Sequence, residues 1–350
     1  MPARLSGGQR DLLVLLQDEF PLVPAPFYVL GERLLWREQE VLSRIWALKA
    51  QGPLRQISAI FDTRRLGYSS TLVALRVQPD RLEAVGRAIS QHPGVSHNYS
   101  REHTFNLWFT LAVPPGIDLE REVQALADQP GVRRVLNLPV VRTFKIGVRF
   151  GMGRRYEPEA GEVATQAPGA TTDRLLPADI PFVRALQEDL PLSSRPFLVL
   201  ARRAGLSEDG LLEAAERFLA SGVMRRYGAT LHHRQVGYTA NAMVCWQVAE
   251  GRIVIAGQAA ARHPAVSHCY QRPAYPPDWP YQLFTMVHAR SQEELAGAIA
   301  GLERTIRPLR IAVLPTVREF KKVRLRYFEE GEGELQVAAE PETSSVKRGV

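Results

Sequence analysis

The sequence predicts an α+β protein built as a tandem repeat of one unit, a helix–turn–helix followed by a ferredoxin-like βαββαβ domain. Three observations support this prediction. The two parts of the 350-residue chain share segments at a nearly constant offset, apolar residues in each part follow first helical and then strand spacing, and a polar segment separates the parts. We therefore expect two homologous halves, each able to bury a core of its own.

The internal repeat is carried by four pairs of segments. Their offset is 170 residues at the first pair and 176 at the last, so short insertions belong to loops of the second half. The pairs are QDEFPLVPAPFYVL (17–30) with QEDLPLSSRPFLVL (187–200), LGYSSTLVALRV (66–77) with VGYTANAMVCWQV (236–248), HPGVSHNYSR (92–101) with HPAVSHCYQR (263–272), and LPVVRTFKIGVRF (138–150) with LPTVREFKKVRLRYF (314–328).

Composition marks the boundaries between these units. Residues 155–173 are rich in Glu, Ala, Thr, Pro and Gly without an apolar period, which is typical of a flexible linker. The C-terminal segment has the same character, and we expect it to be disordered. The predicted domains are a helix–turn–helix domain (1–56) and a ferredoxin-like domain (57–150) in half one, a linker (151–178), the corresponding domains of half two (179–226 and 227–328), and a disordered tail (329–350).

Each half opens with a short amphipathic helix and a helix–turn–helix. In half two, Ser207 is placed to cap the second helix of this motif and Gly222 to end it, while Gly52 ends the matching helix of half one. The pattern then gives the order βαββαβ. The predicted elements are a first helix (8–20; 179–189), a strand run (57–77; 227–248), a helix (80–91; 250–262), two strands (94–112; 265–289), a helix (117–128; 291–303) and a last strand (133–149; 308–327).

Composition excludes several classes of protein. No run of 18 apolar residues is present to span a membrane, and the N-terminus lacks the apolar region of a secretory signal. The two cysteines cannot form a disulfide scaffold, a four-thiolate zinc site or a cysteine-ligated iron–sulfur cluster. We therefore expect a cytoplasmic protein. Its net charge of +7 favours an acidic ligand or nucleic acid as partner, or serves solubility alone.

The predicted architecture resembles that of the Lrp/AsnC transcriptional regulators. This resemblance implies one hypothesis, a DNA-binding regulator that senses a small ligand or haem. The helices that would enter the major groove argue against it, because they begin with acidic residues that repel phosphate: Glu208 and Asp209 in half two, Glu38 and Glu40 in half one. We do not expect sequence-specific DNA binding.

The histidines suggest a second hypothesis, an enzyme. All eight lie outside the predicted helix–turn–helix motifs. His92 and His263 each precede a proline at a turn, where we expect the ring to cap the turn. The V-S-H-x-Y motif places His97, Tyr99 and Arg101 on one strand face, and repeats this with the second set, His268, Tyr270 and Arg272. Such a face is either the floor of a ligand site or a hydrogen-bonded interface.

The two halves differ in their acid–base residues. His232 and His233 stand where half one has Asp62 and Thr63, and Arg225, Arg226 and Arg234 flank them. Half one in turn has His103 where half two has Ala274. A pocket between the halves would combine these unequal groups.

Four segments carry a more specific resemblance. They are FDTRRLGY, HPGVSHNYSREHTFNLWFTLAVPP, YGATLHHRQVGYTANAMVCW and HPAVSHCYQRPAYPPDWPYQLFTMVHA. They are similar to the two subunits of the siroheme (sirohaem) decarboxylases, fused in one chain, over about residues 8–328. The resemblance implies a carboxy-lyase that removes CO2 from the C12 and C18 acetates of siroheme, giving 12,18-didecarboxysiroheme for haem d-type or alternative haem biosynthesis. It implies no cofactor beyond the iron tetrapyrrole substrate, and an intramolecular pseudo-dimer that can pair further with a second copy or with homologous subunits.

The chemistry of this reaction fits the residues. A substrate with eight carboxylates needs an arginine-lined site, and the carbon that loses CO2 needs a proton, which histidine can supply near neutral pH. The catalytic candidates are His233, His97 and His268, the latter two with carboxylate binding or axial contact to the substrate iron as alternative roles. The candidates for substrate binding are Arg225, Arg226, His232, Arg234, Tyr99, Arg101, His103, Tyr270 and Arg272.

The first prediction concerns His233, which is the leading catalytic candidate because half one has Thr63 at this position. If His233 transfers a proton, His233→Ala lowers activity about 100-fold or more and leaves the melting temperature nearly unchanged. Turnover assays and thermal melts of the same preparation measure both quantities. Normal turnover, or loss of the fold, would exclude this role.

Overall fold

The computed structural model describes residues 6–146, 175–231 and 240–329. Half one contains α1 (Gly7–Asp18), α2 (Pro26–Leu34), α3 (Glu38–Ala50), β1 (Leu54–Phe61), β2 (Ser69–Val77), α4 (Leu82–Gln91), β3 (Val95–Arg101), β4 (Leu107–Val113), α5 (Leu119–Ala127), β5 (Val132–Pro139) and β6 (Arg142–Ile146). Half two contains a 3₁₀ turn (Pro177–Asp179), α6 (Ile180–Leu186), α7 (Pro196–Arg203), α8 (Glu208–Ala220), β7 (Met224–Leu231), β8 (Ala240–Gln247), α9 (Ile253–Arg262), β9 (Val266–Gln271), β10 (Leu283–Ala289), α10 (Gln292–Ile306) and β11 (Arg310–Lys322). None of these helices is long and apolar enough to cross a membrane.

The second helices of the two helix–turn–helix motifs have the terminal residues that the sequence predicts. The Ser207 hydroxyl accepts a hydrogen bond from the backbone N–H of Gly210 at 3.1 Å and so caps α8. Gly222 (φ 72°) and Gly52 (φ 93°) follow α8 and α3 in the left-handed region, which glycine enters without steric cost. These three predictions are confirmed.

The helical parts of the two halves share one core. Helices α1–α3 and α6–α8 pack with β1 and β7 around buried side chains such as Phe27, Ile45, Phe197 and Phe218. Strands β1 and β7 pair antiparallel in a two-stranded sheet of their own. The strand runs predicted from residues 57 and 227 are therefore interrupted: β1 and β7 belong to the helical unit, and the boundaries set at 57 and 227 fall inside these strands.

Each half also contains the predicted ferredoxin-like domain, with β2-α4-β3-β4-α5-β5 in half one and β8-α9-β9-β10-α10-β11 in half two. Helices cover the outer face of each sheet, where Val85 and Ile89 pack in half one and Ala256 and Ala260 in half two. The inner faces, which we define as those turned toward the other sheet, share a third core. Its members include Leu72, Trp108, Leu136, Leu138, Met243, Cys245, Phe284 and Leu314. The two domains thus pack face to face as a pseudo-dimer.

The last strand of each domain crosses to the other half. β5 pairs with β2 in its own sheet, and after residues 140–141 β6 pairs with β9 of half two. β11 pairs with β8 as far as Pro315 and with β3 of half one from Thr316 onward. Pro139 and Pro315 mark the two crossings, where a residue without an N–H interrupts strand pairing. The strand order is β5-β2-β4-β3-β11-β8-β10-β9-β6.

The helices expected to meet DNA present unfavourable surfaces. On α8, Asp209, Glu213 and Glu216 are all exposed. On α3, the Glu40 carboxylate is paired with Arg44 of the same helix at 2.7 Å. The positive net charge of the chain is therefore not concentrated on these helices, and clustered carboxylates repel phosphate.

The second prediction follows from these surfaces. At about 150 mM salt the protein should show no sequence-specific retention of duplex DNA, since too few cations on α3 and α8 can replace phosphate counterions. Gel-shift titrations over a pool of random duplexes test this, with an Lrp-type regulator as positive control. A discrete complex on one operator that survives added salt would contradict it.

Candidate active site between the two sheets

A bulge on each of two equivalent strands shapes the site. Val95 pairs with Leu111 and the next partner pair joins His97 to Thr110, so Ser96 is an extra residue in β3. In β9 the bulged residue is Ser267, between Val266 and His268. Each bulge brings the serine hydroxyl to the ring of the histidine that follows. The distance from Oγ to Nδ1 is 3.0 Å at His97 and 2.9 Å at His268.

The predicted alternation after these histidines is confirmed. The ring centroids of His97 and Tyr99 lie 6.1 Å apart, and the Arg101 guanidinium lies 5.4 Å from the Tyr99 ring. The intervening Asn98 points to the outer face, where it donates to the Gly86 carbonyl of α4 at 2.8 Å. His97, Tyr99 and Arg101 therefore form a ladder on the inner face.

Half two repeats the same ladder. The rings of His268 and Tyr270 lie 6.0 Å apart, and the Arg272 guanidinium lies 5.1 Å from the Tyr270 ring. Cys269 points outward, toward the Gly257 carbonyl of α9. The two ladders thus both face the space between the sheets.

The arginines of the ladders bind protein carbonyls across the halves. Arg101 is buried and donates from Nη1 to the carbonyl of Leu314 at 2.7 Å. Arg272 is also buried and donates from Nη1 to the carbonyl of Leu138. Burial lowers the pKa of Arg272 to about 10, which still leaves it charged at neutral pH. The sequence assigned both arginines to substrate carboxylates, whereas the structure places them at the strand crossings.

Arg225 and Arg226 also make contacts between the halves. Arg225 forms a salt bridge with Asp62 at 2.8 Å, and Arg226 donates to the carbonyl of Gln17 at 2.6 Å. Burial alone would raise the pKa of Asp62, but Arg225 and backbone N–H groups hold it below its usual value. Arg225 nevertheless remains close to the second ladder. Burial raises the pKa of Tyr270 while Arg272 and Arg225 oppose that rise.

Four cations, which we call the basic cluster, lie close to the ladders: Arg55, Arg64, Arg225 and Lys322. The charges of Lys322 and Arg55 lower the pKa of His97. The charges of Arg225 and Arg64 oppose the rise that burial causes in the pKa of Tyr270. Sequence reasoning missed Arg55, Arg64 and Lys322. The repeat could have found two of them, because Arg55 corresponds to Arg225 and Arg64 to Arg234 at the offset of 170.

Two half-buried histidines are neutral near pH 7. Burial, Lys322 and Arg55 lower the pKa of His97 to about 4. Burial and Lys322 lower the pKa of His288 to about 4 as well. His288, on β10, was not among the predicted site residues.

Two other histidines have the structural role that the sequence predicts, and three of the predicted site residues cannot be located. His92 and His263 cap their turns as expected, since their Nδ1 atoms accept from the backbone N–H groups of Gly94 and Ala265. His232, His233 and Arg234 lie outside the described residues.

His103 does not join the ladders. It lies in the turn after β3, where its ring packs 5.4 Å from that of Trp279, and it lines a separate pocket of about 270 Å³. The sequence could not exclude His103 from the site, because only the tertiary structure shows where its ring lies relative to the ladders.

Comparison with known proteins gives the class and then the family. The chain matches the AsnC-like ligand binding domain over residues 65–145 and 235–321, and the siroheme decarboxylase NirDL-like HTH domain over residues 9–55 and 179–225. It is therefore a duplicated protein of the AsnC-like class.

Similar full-length proteins identify the family. The siroheme decarboxylase of Hydrogenobacter thermophilus is 42% identical over 93% of this chain and 96% of its own length. The solved structure of the siroheme decarboxylase NirDL matches with a TM-score of 0.75 and 37% identity, over 94% of this chain and 97% of that one. A NirDL structure in complex with an iron-uroporphyrin III analogue matches with a TM-score of 0.74 and 36% identity, over the same shares of both chains. This chain belongs to the siroheme decarboxylase family, and it is an enzyme of the carboxy-lyase class.

Relatives with separate subunits explain the duplication. In Desulfovibrio desulfuricans, the siroheme decarboxylase alpha subunit is 41% identical and the beta subunit 40% identical, each over 43% of this chain. These matches cover 86% of the alpha subunit and 96% of the beta subunit. The chain is thus a fusion of the two subunit types, as the resemblance implied.

The third prediction concerns the neutral His97. The unfolded chain binds a proton on this ring below about pH 6.5, whereas the folded protein binds it only near pH 4. The free energy of unfolding therefore falls as the pH is lowered through this window, by about 3 kcal/mol from this ring. Denaturant unfolding of wild type and His97→Gln between pH 7 and pH 4 should show a shallower loss of stability in the variant. Parallel curves would contradict this prediction.

Proposed function

We propose that the enzyme removes CO2 from the C12 and C18 acetate side chains of siroheme and releases 12,18-didecarboxysiroheme, with histidines managing the protons. One observation carries the proposal: two equivalent His–Tyr ladders face the space between the sheets, with the basic cluster beside them. The product would enter haem d-type or alternative haem biosynthesis.

The basic cluster supports an acidic substrate. Arg55, Arg64, Arg225 and Lys322 come from both halves. Among the described residues only Arg225 of these four forms a salt bridge, with Asp62. All four residues are exposed and so open to a ligand, and arginine can hold a carboxylate through two parallel hydrogen bonds. These side chains would hold the substrate carboxylates that do not react.

The reaction at each acetate is a simple exchange. The bond between the methylene carbon and the carboxylate breaks, CO2 leaves, and the macrocycle takes up the electron pair. A proton then bonds to the methylene carbon to give a methyl group, so each turnover at one acetate takes up one proton.

The two ladder histidines have different roles in this proposal. His97, neutral at pH 7, suits axial contact with the substrate iron or a hydrogen bond to a carboxylate, because a neutral ring has one nitrogen with a lone pair for the iron and one N–H that can donate to a carboxylate. We assign proton delivery to His268. His233 remains a catalytic candidate in this proposal, on its sequence position next to Arg234.

The fourth prediction tests the reaction itself. Anaerobic incubation with siroheme should lower the mass of the tetrapyrrole by about 88 Da, the mass of two CO2 molecules, because each carboxylate is replaced by a proton. In D2O each new methyl group should carry one deuterium from solvent. Mass spectrometry of the extracted product measures both changes.

Controls make the result specific. The same incubation with heat-denatured protein reports spontaneous loss of CO2. A product that retains both acetates would contradict the proposed function, and a product that has lost only one would contradict the assignment of two acetates to this chain.

A further inference from the structure

A chain of hydrogen-bonded side chains leads from His268 to His288. The Ser267 hydroxyl lies 2.9 Å from Nδ1 of His268 and 2.9 Å from Nε2 of His288. The bulge in β9 makes this possible, because Ser267 is the extra residue and its side chain reaches the neighbouring strand β10. The three side chains therefore form a continuous polar path.

Half one has a different path at the equivalent place. Ser96 contacts Nδ1 of His97 at 3.0 Å and the hydroxyl of Thr110 at 2.8 Å. A threonine hydroxyl does not titrate near neutral pH as an imidazole does. The path from His268 ends on a histidine, and the path from His97 on an alcohol.

The hydrogen count allows two directions for the hydrogen bonds around Ser267, because either ring can donate to its oxygen while Ser267 donates to the other ring. Ser267 has one hydroxyl hydrogen, and the neutral His288 ring has one N–H. The carbonyl of Met286 is a weaker acceptor for Ser267, at 3.4 Å. If His288 donates from Nε2 to Ser267, the serine hydrogen is left for Nδ1 of His268, whose own proton then sits on Nε2.

We propose that His288 is a positioning residue of the reaction, which through Ser267 holds His268 in the Nε2–H tautomer and restores its proton. This inference rests on the proposed function. It makes the half-two ladder the proton-delivering side and leaves His97 for contact with substrate.

The proton steps balance along this path. The Nε2 proton of His268 bonds to the methylene carbon, the Ser267 hydrogen moves to Nδ1 of His268, and the Nε2 hydrogen of His288 moves to Ser267. His288, which is partly exposed, takes a proton on Nδ1 from solvent water. No ring becomes an anion, and the net change is the one solvent proton that each loss of CO2 requires. Both rings then carry their proton on Nδ1, and exchange with water, with no net uptake of protons, returns them to the Nε2–H form before the next loss of CO2.

The resting enzyme provides a test that does not need turnover. ¹⁵N NMR of histidine-labelled protein should show His268 protonated on Nε2 in the wild type. Ser267→Ala and His288→Phe should lose this preference, whereas Ser267→Thr, which keeps the hydroxyl, should retain it. A wild-type His268 protonated on Nδ1 would overturn the proposal.

Kinetics provide the second test. Ser267→Ala and His288→Phe should each lower kcat about tenfold or more and change KM less than about twofold, because substrate contacts remain while proton delivery slows. The solvent deuterium isotope effect on kcat should rise in both variants, and Ser267→Thr should restore the wild-type values. Thermal melts identify any variant that fails to fold, in which case the other variant decides.

Ser96→Ala is the matched comparison in half one. It removes the equivalent hydroxyl beside His97, and whatever its effect on turnover, it should leave the solvent isotope effect at the wild-type value. An equal rise in Ser96→Ala would show that the halves do not differ and would overturn the inference. Absence of CO2 loss by the wild type would instead contradict the proposed function.

Discussion

The exchange of the last strands between the halves is the constraint on which the rest of this structure depends. Arg101 donates to the carbonyl of Leu314, and Arg272 donates to the carbonyl of Leu138, so each crossing is held by a charged donor from the opposite half. The crossings join two sheets into one nine-strand order. Because the strands are shared, the inner faces keep a fixed spacing and register, and the two ladders are held in equivalent places.

Burial between the sheets determines the charge state of the site. The Nε atoms of Arg101 and Arg272 have no hydrogen-bond partner among the described residues, which is costly for buried donors and is offset by the contacts with the tyrosine rings. The same desolvation, together with Lys322, keeps His97 and His288 neutral. Positive charge therefore remains on the basic cluster, where an acidic ligand can meet it, while the imidazoles of His97 and His288 stay uncharged at neutral pH.

Duplication has produced two halves with the same fold but with different side chains at several places near the site. The loop between β9 and β10 is longer than the turn between β3 and β4, and it places Trp279 fully buried against Trp108 and Phe105 at one end of the inner core. That end is filled by aromatic rings, whereas the basic cluster lies beside the ladders. A single substrate with unequal edges can thus meet unequal groups in a nearly symmetric fold.

The sequence by itself determined the features that depend on neighbours along the chain. Periodicity and the repeat predicted both helix–turn–helix motifs, both βαββαβ domains, the capping by Ser207 and the shared face of His97 and Tyr99, because side-chain direction within one element follows from its backbone geometry. Tertiary structure alone decided which residues meet across the halves. Arg101 and Leu314 are 213 positions apart, and the bulge that joins Ser267 to His288 is a property of strand register. Such contacts depend on the packing of two sheets, which no local pattern encodes.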